Sequence, residues 1–348
     1  KKREQVFAMK KKILICDYPN ALECNYEPTM QSVKTAWMSR GKQQETELEF
    51  EVYAYEGDAK LIQKLQGVTG LITGFLEIGE HILAEAESLS CISVSGVGHS
   101  NIDMEAAKRH GVTVCHIREY CTEEVAEHAF ALIGALNRNL KYYTNKIEQE
   151  KEWKYHTIAG GKNLSSQTLA IFGYGKIGKR VAQIANAYGM EVLAVDPYAA
   201  SHEEPRRLAE QAGVALVDAD EALERADILS NHMNLTAENY HFFDDMAFEK
   251  MKQHPIFINV GRGKSVDEAA LLRALDTEKI RAAGLDVLEA EEPDLEKCGL
   301  LGRDNVIITP HSAFYSSESI EKLQVISGAN LGYFLAGNPK KIDEIVTK

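Results

Sequence analysis

The chain has 348 residues, of which 45% are hydrophobic and 26% charged, and 39 Lys and Arg against 52 Asp and Glu leave a formal net charge of −13. This composition is typical of a soluble globular protein with about two domains. So large an acidic excess disfavours a general binder of nucleic acid or of an anionic membrane, and no apolar run reaches the ~18 residues of a membrane span.

The cysteines and the N-terminal residues indicate in which cellular compartment the protein is expected. Six cysteines occur at positions 16, 24, 91, 115, 121 and 298, without a Cys-x-x-Cys pair or the Cys/His spacing of a zinc site. We therefore expect free thiols, a cytoplasmic protein and no metal site. The basic start lacks the apolar segment of a secretion signal. Because Met9 follows a start without Met, we expect residues 1–8 to be a remnant of processing or cloning.

Strand and helix patterns alternate along the first third of the chain. Short apolar or alternating runs predict strands at 13–16, 48–53, 70–74 and 92–95, and a helix is predicted at 29–40. Alternation of this kind favours an α/β domain with a parallel sheet.

Residues 122–150 carry a different pattern. Val125, Ala129, Leu132, Leu136 and Leu140 have helical spacing, and only Gly134 interrupts the segment. This predicts one unusually long helix that joins two domains, although a core helix of a single domain is the simpler alternative.

A second α/β series begins at Leu169, after a loop rich in Gly and Ser. Its predicted strands are 169–172, 191–195, 214–217, 227–230, 256–260, 283–287 and 305–309. Each half of the chain is therefore expected to form an open α/β sheet.

The first strand of this series runs directly into a glycine loop of the form Gly-x-Gly-x-x-Gly, and a helix follows. In a dinucleotide site Gly173 allows the tight turn, Gly175 lets the backbone approach the pyrophosphate, and Gly178 allows close packing of the helix. The next strand ends in Asp196, where an acid binds the adenosine ribose hydroxyls. An acid there repels a 2′-phosphate, so the pattern predicts NAD rather than NADP.

Three polar residues follow later strands: Arg262, Glu291 and His311. Ligands of open α/β sheets bind beyond the carboxyl ends of strands, so the three are expected to face one crevice. A guanidinium can hold the carboxylate of a 2-oxo acid, and a histidinium backed by a carboxylate can protonate its ketone oxygen as hydride reaches C2. Each residue alone could be structural, but their joint placement after a nucleotide loop favours catalysis.

Several spaced motifs occur together: Gly98-His-Ser-Asn-Ile-Asp103, Glu124-Val-Ala-Glu-His128, the glycine loop, Asn259-Val-Gly-Arg-Gly263, Gly284-Leu-Asp-Val287 and Thr309-Pro-His311. With these motifs the chain resembles the D-isomer-specific 2-hydroxyacid dehydrogenase family over nearly its whole length. The segments 121–128 and 310–316 are especially similar to the C-terminal-binding-protein-like branch of that family.

The resemblance implies roles for individual residues. Arg262 would bind the substrate carboxylate and polarise the carbonyl, His311 would be the acid/base, and Glu291 its partner. The remaining implied cofactor-binding positions are Lys176, Ile177, Met233, Asn234, Asn239, Val260, Gly261, Arg262 and Asp286. Val97 and Gly98 would offer N–H groups to the substrate carboxylate.

The resemblance also implies an architecture of two Rossmann-like or flavodoxin-like domains with parallel sheets and the active site in the cleft between them. Residues 1–121 with 318–348 would form a discontinuous substrate domain, and residues 122–317 the NAD-binding domain. Family members are commonly homodimers, which we therefore expect here.

The substrate side chain is expected to meet residues 73–77 together with Phe314 and Tyr315. Because Phe75, Leu76 and Phe314 are apolar, we predict a 2-oxo acid with an apolar or small uncharged side chain and no phosphate.

Some alternatives stay open at this level. Glu292 could replace Glu291 as the partner of His311, since both precede Pro293. The branch resemblance admits an NAD(H)-sensing corepressor-like scaffold that binds peptides. A formate enzyme would be expected to have Gln in place of Glu291, whereas phosphite oxidation is compatible with the three polar residues. His128 and His232 are expected to be structural or to lie on the cofactor side.

Overall fold

The computed structural model describes residues 9–22, 25–40 and 46–347. Residues 1–8, taken above as a remnant, and Cys24 lie outside the described residues. The chain divides into two compact units, the first formed by residues 1–120 and 316–348 and the second by residues 121–315. The assignment of substrate and NAD binding to domains with boundaries near 121 and 317 stays a prediction.

The sheet of the first unit has the strand order β13-β5-β4-β3-β1-β2. Its parallel strands are β1 Met9–Asp17, β2 Thr46–Ala54, β3 Val68–Thr73, β4 Cys91–Val94 and β5 Thr113–His116. The short C-terminal strand β13, Glu344–Ile345, pairs antiparallel with β5. The helices are α1 Glu27–Trp37, α2 Asp58–Leu65, α3 Glu80–Leu83, α4 Met104–Arg109 and α13 Ser317–Leu335. The predicted strands and the helix near 29–40 are all present.

The sheet of the second unit is parallel throughout, with the order β12-β11-β10-β9-β6-β7-β8. Its strands are β6 Thr168–Phe172, β7 Glu191–Val195, β8 Val214–Leu216, β9 Ile228–Asn231, β10 Ile256–Asn259, β11 Ala282–Leu285 and β12 Val306–Ile308. All seven match predicted strands. The strand order reverses between β6 and β9, which places the crevice for a ligand beyond the carboxyl ends of these two strands.

The helices of the second unit correct one prediction. Residues 122–150 form two helices, α5 Thr122–Asn137 and α6 Leu140–Glu150, both within this unit. The break occurs at Asn139, which takes a left-handed conformation with φ +52°. Asparagine tolerates this conformation, and here its amide donates to the carbonyl of Ala159 at 3.2 Å. The further helices are α7 Lys176–Ala187, α8 Pro197–Ser201, α9 Glu203–Gln211, α10 Ala219–Arg225, α11 Asp245–Glu249 and α12 Glu268–Asp276.

Two negative findings apply to the described residues. No helix in those ranges is long and apolar enough to cross a membrane. Nor do they contain a group of three or more His, Cys, Asp and Glu side chains that could hold a metal ion. The five cysteines in the same ranges form no disulfide, although the Sγ atoms of Cys91 and Cys115 lie 3.9 Å apart in the core of the first unit. The α/β class with two sheets dominated by parallel strands is confirmed.

Candidate active site

The glycine loop joins β6 to α7 at the point where the strand order reverses. Gly173 has φ +91°, and a Cβ there would lie 2.8 Å from the carbonyl carbon of His232. A Cβ on Gly178 would lie 2.2 Å from the oxygen of Gly173. A Cβ on Gly175 would meet no atom of the described residues within 4 Å. The first and third glycines are therefore required by packing within the protein, whereas the second leaves open space before the N–H groups of α7.

Asp196 lies beside this loop at the end of β7. One carboxylate oxygen, Oδ2, accepts the N–H of Tyr174 at 2.9 Å, and the other, Oδ1, caps α8 by accepting the N–H of Ala199 at 2.9 Å. Each carboxylate oxygen can accept more than one hydrogen bond. Asp196 therefore both holds the loop and offers an anionic acceptor next to it.

The segment after β9 forms the other side of this crevice. The N–H of Met233 donates to the side-chain oxygen of Asn231 at 3.1 Å. Asn239 uses both ends of its amide within the loop, accepting the Thr236 N–H at 2.7 Å and donating to the Asn234 carbonyl at 2.6 Å. A Cβ on Gly261 would lie 3.1 Å from the oxygen of Met233, so the loop after β10 packs here as well.

Together these parts fit a dinucleotide. The open space at Gly175 admits a pyrophosphate backbone, the N-terminus of α7 provides N–H donors and positive dipole, and Asp196 provides the acceptor for ribose hydroxyls. Lys176 begins α7 without an acidic residue in its first turn, which suits an anion.

A network of buried polar side chains positions Arg262. The sequence analysis assigned no role to the members of this network. Asn231 donates to the side chains of Asn259 at 3.0 Å and Ser265 at 2.8 Å. Asn259 and Ser265 both donate to the carbonyl of Arg262, at 3.1 and 2.6 Å. Asn231, Asn259 and Ser265 are each at most 1% exposed. The signal in the sequence was an Asn ending each of two apolar strands.

The Arg262 loop also touches the segment that carries Glu291. A Cβ on Gly263 would lie 1.7 Å from the carbonyl oxygen of Leu288, so only glycine permits this contact. The close approach brings the end of β10 and the loop after β11 together.

Asp286 organises the loop that carries His311. Its carboxylate is 2% exposed and accepts the Thr309 hydroxyl at 2.6 Å and the N–H groups of Ser312 and Ala313, each at 2.9 Å. The N–H of His311 donates to the carbonyl of Asp286 at 2.8 Å. Asp286, predicted to lie on the nicotinamide side, thus fixes the backbone of the loop on both sides of His311.

His128 supports the same arrangement. Its Nε2 lies 2.9 Å from the Thr309 hydroxyl oxygen and 3.6 Å from a carboxylate oxygen of Asp286. Because the single proton of the Thr309 hydroxyl goes to Asp286, Nε2 of His128 is the donor. This contact agrees with the structural interpretation of His128.

His311 itself has φ +50°, which is uncommon outside glycine. Its Nδ1 lies 2.7 Å from Oε2 of Glu291, and the two side chains are 26% and 36% exposed. A carboxylate only accepts, so Nδ1 donates and Nε2 is the ring atom directed away from Glu291. Of the two adjacent acids, Glu291 makes this contact.

Arg262 acts on the same carboxylate. Burial raises the pKa of Glu291, but the hydrogen bond from His311 and the charges of His311, Arg262 and Lys264 outweigh it, so the pKa lies below its usual range. Arg262, Glu291 and His311 therefore form one electrostatic group within the second unit. Phe314 stands beside it, its ring centroid 6.3 Å from that of His311.

His232 does not belong to this group. Its Nδ1 atom is buried, and this desolvation lowers the pKa of His232 to about 3. Its Nε2 lies 2.8 Å from the hydroxyl of Ser230. It stays neutral at physiological pH, so it is unsuited to supply a proton there.

The expected substrate residues Phe75, Val97 and Gly98 belong to the first unit. Phe75 and the Val97–Gly98 loop are half-buried after β3 and β4, and the carbonyl of Val97 accepts Nδ1–H of His116 at 2.9 Å. The expectation that Leu76 meets substrate is wrong. Its side chain is 1% exposed and packs in the core of the first unit, so it has no surface to offer a ligand.

Comparison with known proteins decides the family. Residues 130–313 match the model of the "D-isomer specific 2-hydroxyacid dehydrogenase, NAD binding domain". The chain belongs to this family. Its second unit accordingly contains a domain for a nicotinamide cofactor.

Among relatives of this D-2-hydroxyacid dehydrogenase family member, a glycerate dehydrogenase of Methylorubrum extorquens is 33% identical over 82% of the chain and 88% of its own length. A chloroplastic D-3-phosphoglycerate dehydrogenase of Arabidopsis thaliana is 38% identical over 70% of the chain, but the match spans only 39% of that longer protein. The structure of an Aquifex aeolicus D-lactate dehydrogenase complexed with NAD and lactic acid superimposes with a TM-score of 0.82 at 28% identity, covering 97% of this chain and 99% of that one.

Proposed function

We propose that the protein is an NAD-dependent D-2-hydroxyacid dehydrogenase that transfers hydride reversibly between NADH and C2 of a 2-oxo acid. The observation that carries the proposal is the contact between His311 and Glu291, with the charge of Arg262 acting on the same carboxylate, in a unit that also holds a dinucleotide loop. Proton donor, orienting acid and carboxylate-binding cation are the groups that this reaction requires.

The bound nicotinamide would supply or accept the hydride. In reduction, Arg262 holds the substrate carboxylate and polarises the ketone, while Nε2–H of His311 donates the proton that the C2 oxygen needs. Glu291, kept ionised by its surroundings, holds Nδ1 and stabilises the imidazolium before transfer. In oxidation His311 takes the hydroxyl proton back.

For the cofactor we propose NAD over NADP. Asp196 lies next to the glycine loop with its carboxylate held by two N–H groups, so a 2′-phosphate at that point would meet a negative charge. Gly173, Gly175, Lys176, Ile177 and Gly178 would surround the pyrophosphate. Met233, Asn234, Asn239, Val260, Gly261 and Asp286 would line the remaining cofactor site, with Asn239 acting by shaping its loop.

For the substrate we propose an acid whose side chain is apolar or small and uncharged. Val97 and Gly98 would donate N–H groups to its carboxylate, and Phe75 and Phe314 would contact its side chain. Residues 73–77 contain no Lys or Arg that could bind a phosphate, and Glu77 is exposed in that loop. Pyruvate, hydroxypyruvate and glyoxylate fit this description, in line with relatives named for lactate and glycerate.

We also propose a homodimer formed by the second unit. Leu140, Ile147, Trp153, Tyr155 and Ile158 all expose apolar surface, with Trp153 86% and Tyr155 84% exposed. These exposed apolar side chains lie within 19 consecutive residues, and a subunit interface would remove their surface from water. Sedimentation equilibrium of the wild type and of Trp153→Ala tests this proposal, with a weaker dimer expected in the variant.

The deciding experiment measures NADH and NADPH oxidation with glyoxylate, pyruvate, hydroxypyruvate, phenylpyruvate and a phosphorylated 2-oxo acid. His311→Ala and Arg262→Ala are each expected to lower turnover by at least ~10²-fold, as for loss of a positioned acid. Near-normal turnover in both variants would contradict the assigned roles, and a preference for the phosphorylated acid would contradict the substrate class. A wild type inactive on every acid would instead favour the corepressor-like scaffold.

A further inference from the structure

The loop after β3, which carries Phe75, is held on one side by a buried carboxylate. Asp17 ends β1 and is 7% exposed. Its Oδ2 accepts the N–H of Gly74 at 2.6 Å, and the N–H of Phe75 lies 3.2 and 3.1 Å from its two oxygens. Two successive N–H groups of the loop are thus bound by a side chain from a different strand.

Asn101 binds the carbonyl groups of the same loop. Its side-chain Nδ2 donates to the carbonyl of Gly74 at 3.2 Å and to that of Leu76 at 2.8 Å. The main-chain carbonyl of Asn101 accepts the N–H of Ile78 at 2.9 Å. Asp17 therefore binds the loop's N–H donors and Asn101 its carbonyl acceptors, and an ionised carboxylate could not replace the amide that donates from Asn101.

Phe75 lies between these fixed points. Leu76 is buried in the core at 1% exposure, and the peptide group before Phe75 is hydrogen-bonded to both Asp17 and Asn101. One residue later, the carbonyl of Leu76 accepts from Asn101. The Cα of Phe75 is thereby fixed while its ring stays half-buried. A ring held in this way presents one surface to a ligand.

We propose that Asp17 and Asn101 are positioning residues that set side-chain selectivity by clamping Phe75, a role that rests on the proposed function. The clamp acts on the substrate side chain and not on its carboxylate, which Arg262, Val97 and Gly98 would bind. Glyoxylate, which has no side chain, should therefore be insensitive to the clamp, whereas phenylpyruvate depends on it.

The experiment compares Asp17→Asn, which replaces one of the two accepting oxygens by an NH2 group, with Asn101→Asp, which removes the NH2 donor, and both substitutions keep the side-chain shape. We expect kcat/KM for phenylpyruvate to fall at least about tenfold, mostly through KM, and kcat/KM for glyoxylate to change by less than about threefold. The control is Asp103→Ala, which removes the side-chain cap of α4 in the same unit and leaves the main-chain bond from Asp103 to Ile78 in place. An equal loss with both acids, or the same selectivity change in the control, would overturn the proposal.

A second readout does not depend on turnover. Hydrogen exchange of the segment 72–78 should accelerate at least about tenfold in Asp17→Asn and stay unchanged in Asp103→Ala, because only the first replaces one of the two carboxylate oxygens that accept the N–H groups of Gly74 and Phe75. Unchanged exchange in Asp17→Asn means that there is no clamp. If exchange is faster in Asp17→Asn but the wild type has no activity on any 2-oxo acid, the clamp stands and only the proposed function is contradicted.

Discussion

The main-chain N–H of Tyr174 donates to the carboxylate of Asp196 at 2.9 Å, so the side chain of Asp196 itself binds the glycine loop, next to the main-chain bond from Gly173 to Val195. The loop geometry and the choice of cofactor are therefore linked through a single side chain. A substitution of Asp196 that keeps the cap of α8 but removes the negative charge can therefore test the two roles separately.

Asp196→Ser keeps a cap for α8 but removes the negative charge. We expect KM for NADH to rise several-fold and KM for NADPH to fall, because the 2′-phosphate no longer meets a carboxylate. Steady-state kinetics with both cofactors at saturating 2-oxo acid provide the measurement. An unchanged ratio of kcat/KM between the two cofactors would count against Asp196 as the residue that selects NAD.

The first two glycines of the loop should respond differently to alanine. Gly175→Ala meets no neighbour within 4 Å in the described structure, so its thermal midpoint should match the wild type while its Kd for NADH rises at least about tenfold. Gly173→Ala forces a Cβ onto the His232 backbone at φ +91° and should lower the thermal midpoint itself. Calorimetry and NADH fluorescence titration distinguish the two effects. Tight NADH binding by Gly175→Ala would exclude a pyrophosphate at this point.

Glu291 and its neighbour Glu292 form a matched pair. Glu291→Gln should lower the rate of 2-oxo acid reduction about 10²-fold, and its activity should decline at lower pH than in the wild type, because a neutral amide does not stabilise the His311 imidazolium. Glu292→Gln removes the same charge one residue away and should leave the pH profile unchanged. If the two variants behave alike, the contact with His311 has no catalytic consequence.

Asp17 should make stability depend on pH. Burial raises the pKa of Asp17 to about 6, against the opposing effect of N–H bonds from Gly74, Phe75 and Tyr18. Because the folded protein then holds this proton more tightly than the unfolded chain, the free energy of unfolding falls as pH rises from about 4 to about 6, by roughly 3 kcal/mol for a shift of about two units.

Asp17→Asn has no such carboxyl group to titrate. Between about pH 4 and about pH 6 the free energy of unfolding should therefore fall more in the wild type than in the variant. Urea unfolding can be followed through Trp37, buried in the first unit, in a Trp153→Phe background. Parallel pH curves for the two proteins would contradict the raised pKa.

Much of the fold was predictable because its physics is local. Strands of the second sheet are covered on both faces, so they appear as continuous apolar runs. The break at Asn139 was not predictable, because the bond from its amide to Ala159 joins residues 20 positions apart. Leu76 was misassigned to the substrate because apolarity alone does not tell a core residue from a ligand-facing one.

The sequence by itself determined the α/β class, the dinucleotide loop with Asp196, and Arg262, Glu291 and His311 as candidates, since strand periodicity and motif spacing are properties of neighbouring residues. Only the tertiary structure decided that Glu291 rather than Glu292 contacts His311, that Asn231, Asn259 and Ser265 hold Arg262, and that Asp17 and Asn101 hold Phe75. These choices depend on hydrogen bonds between strand ends distant in the chain, and such bonds exist only once the sheet has brought the ends together.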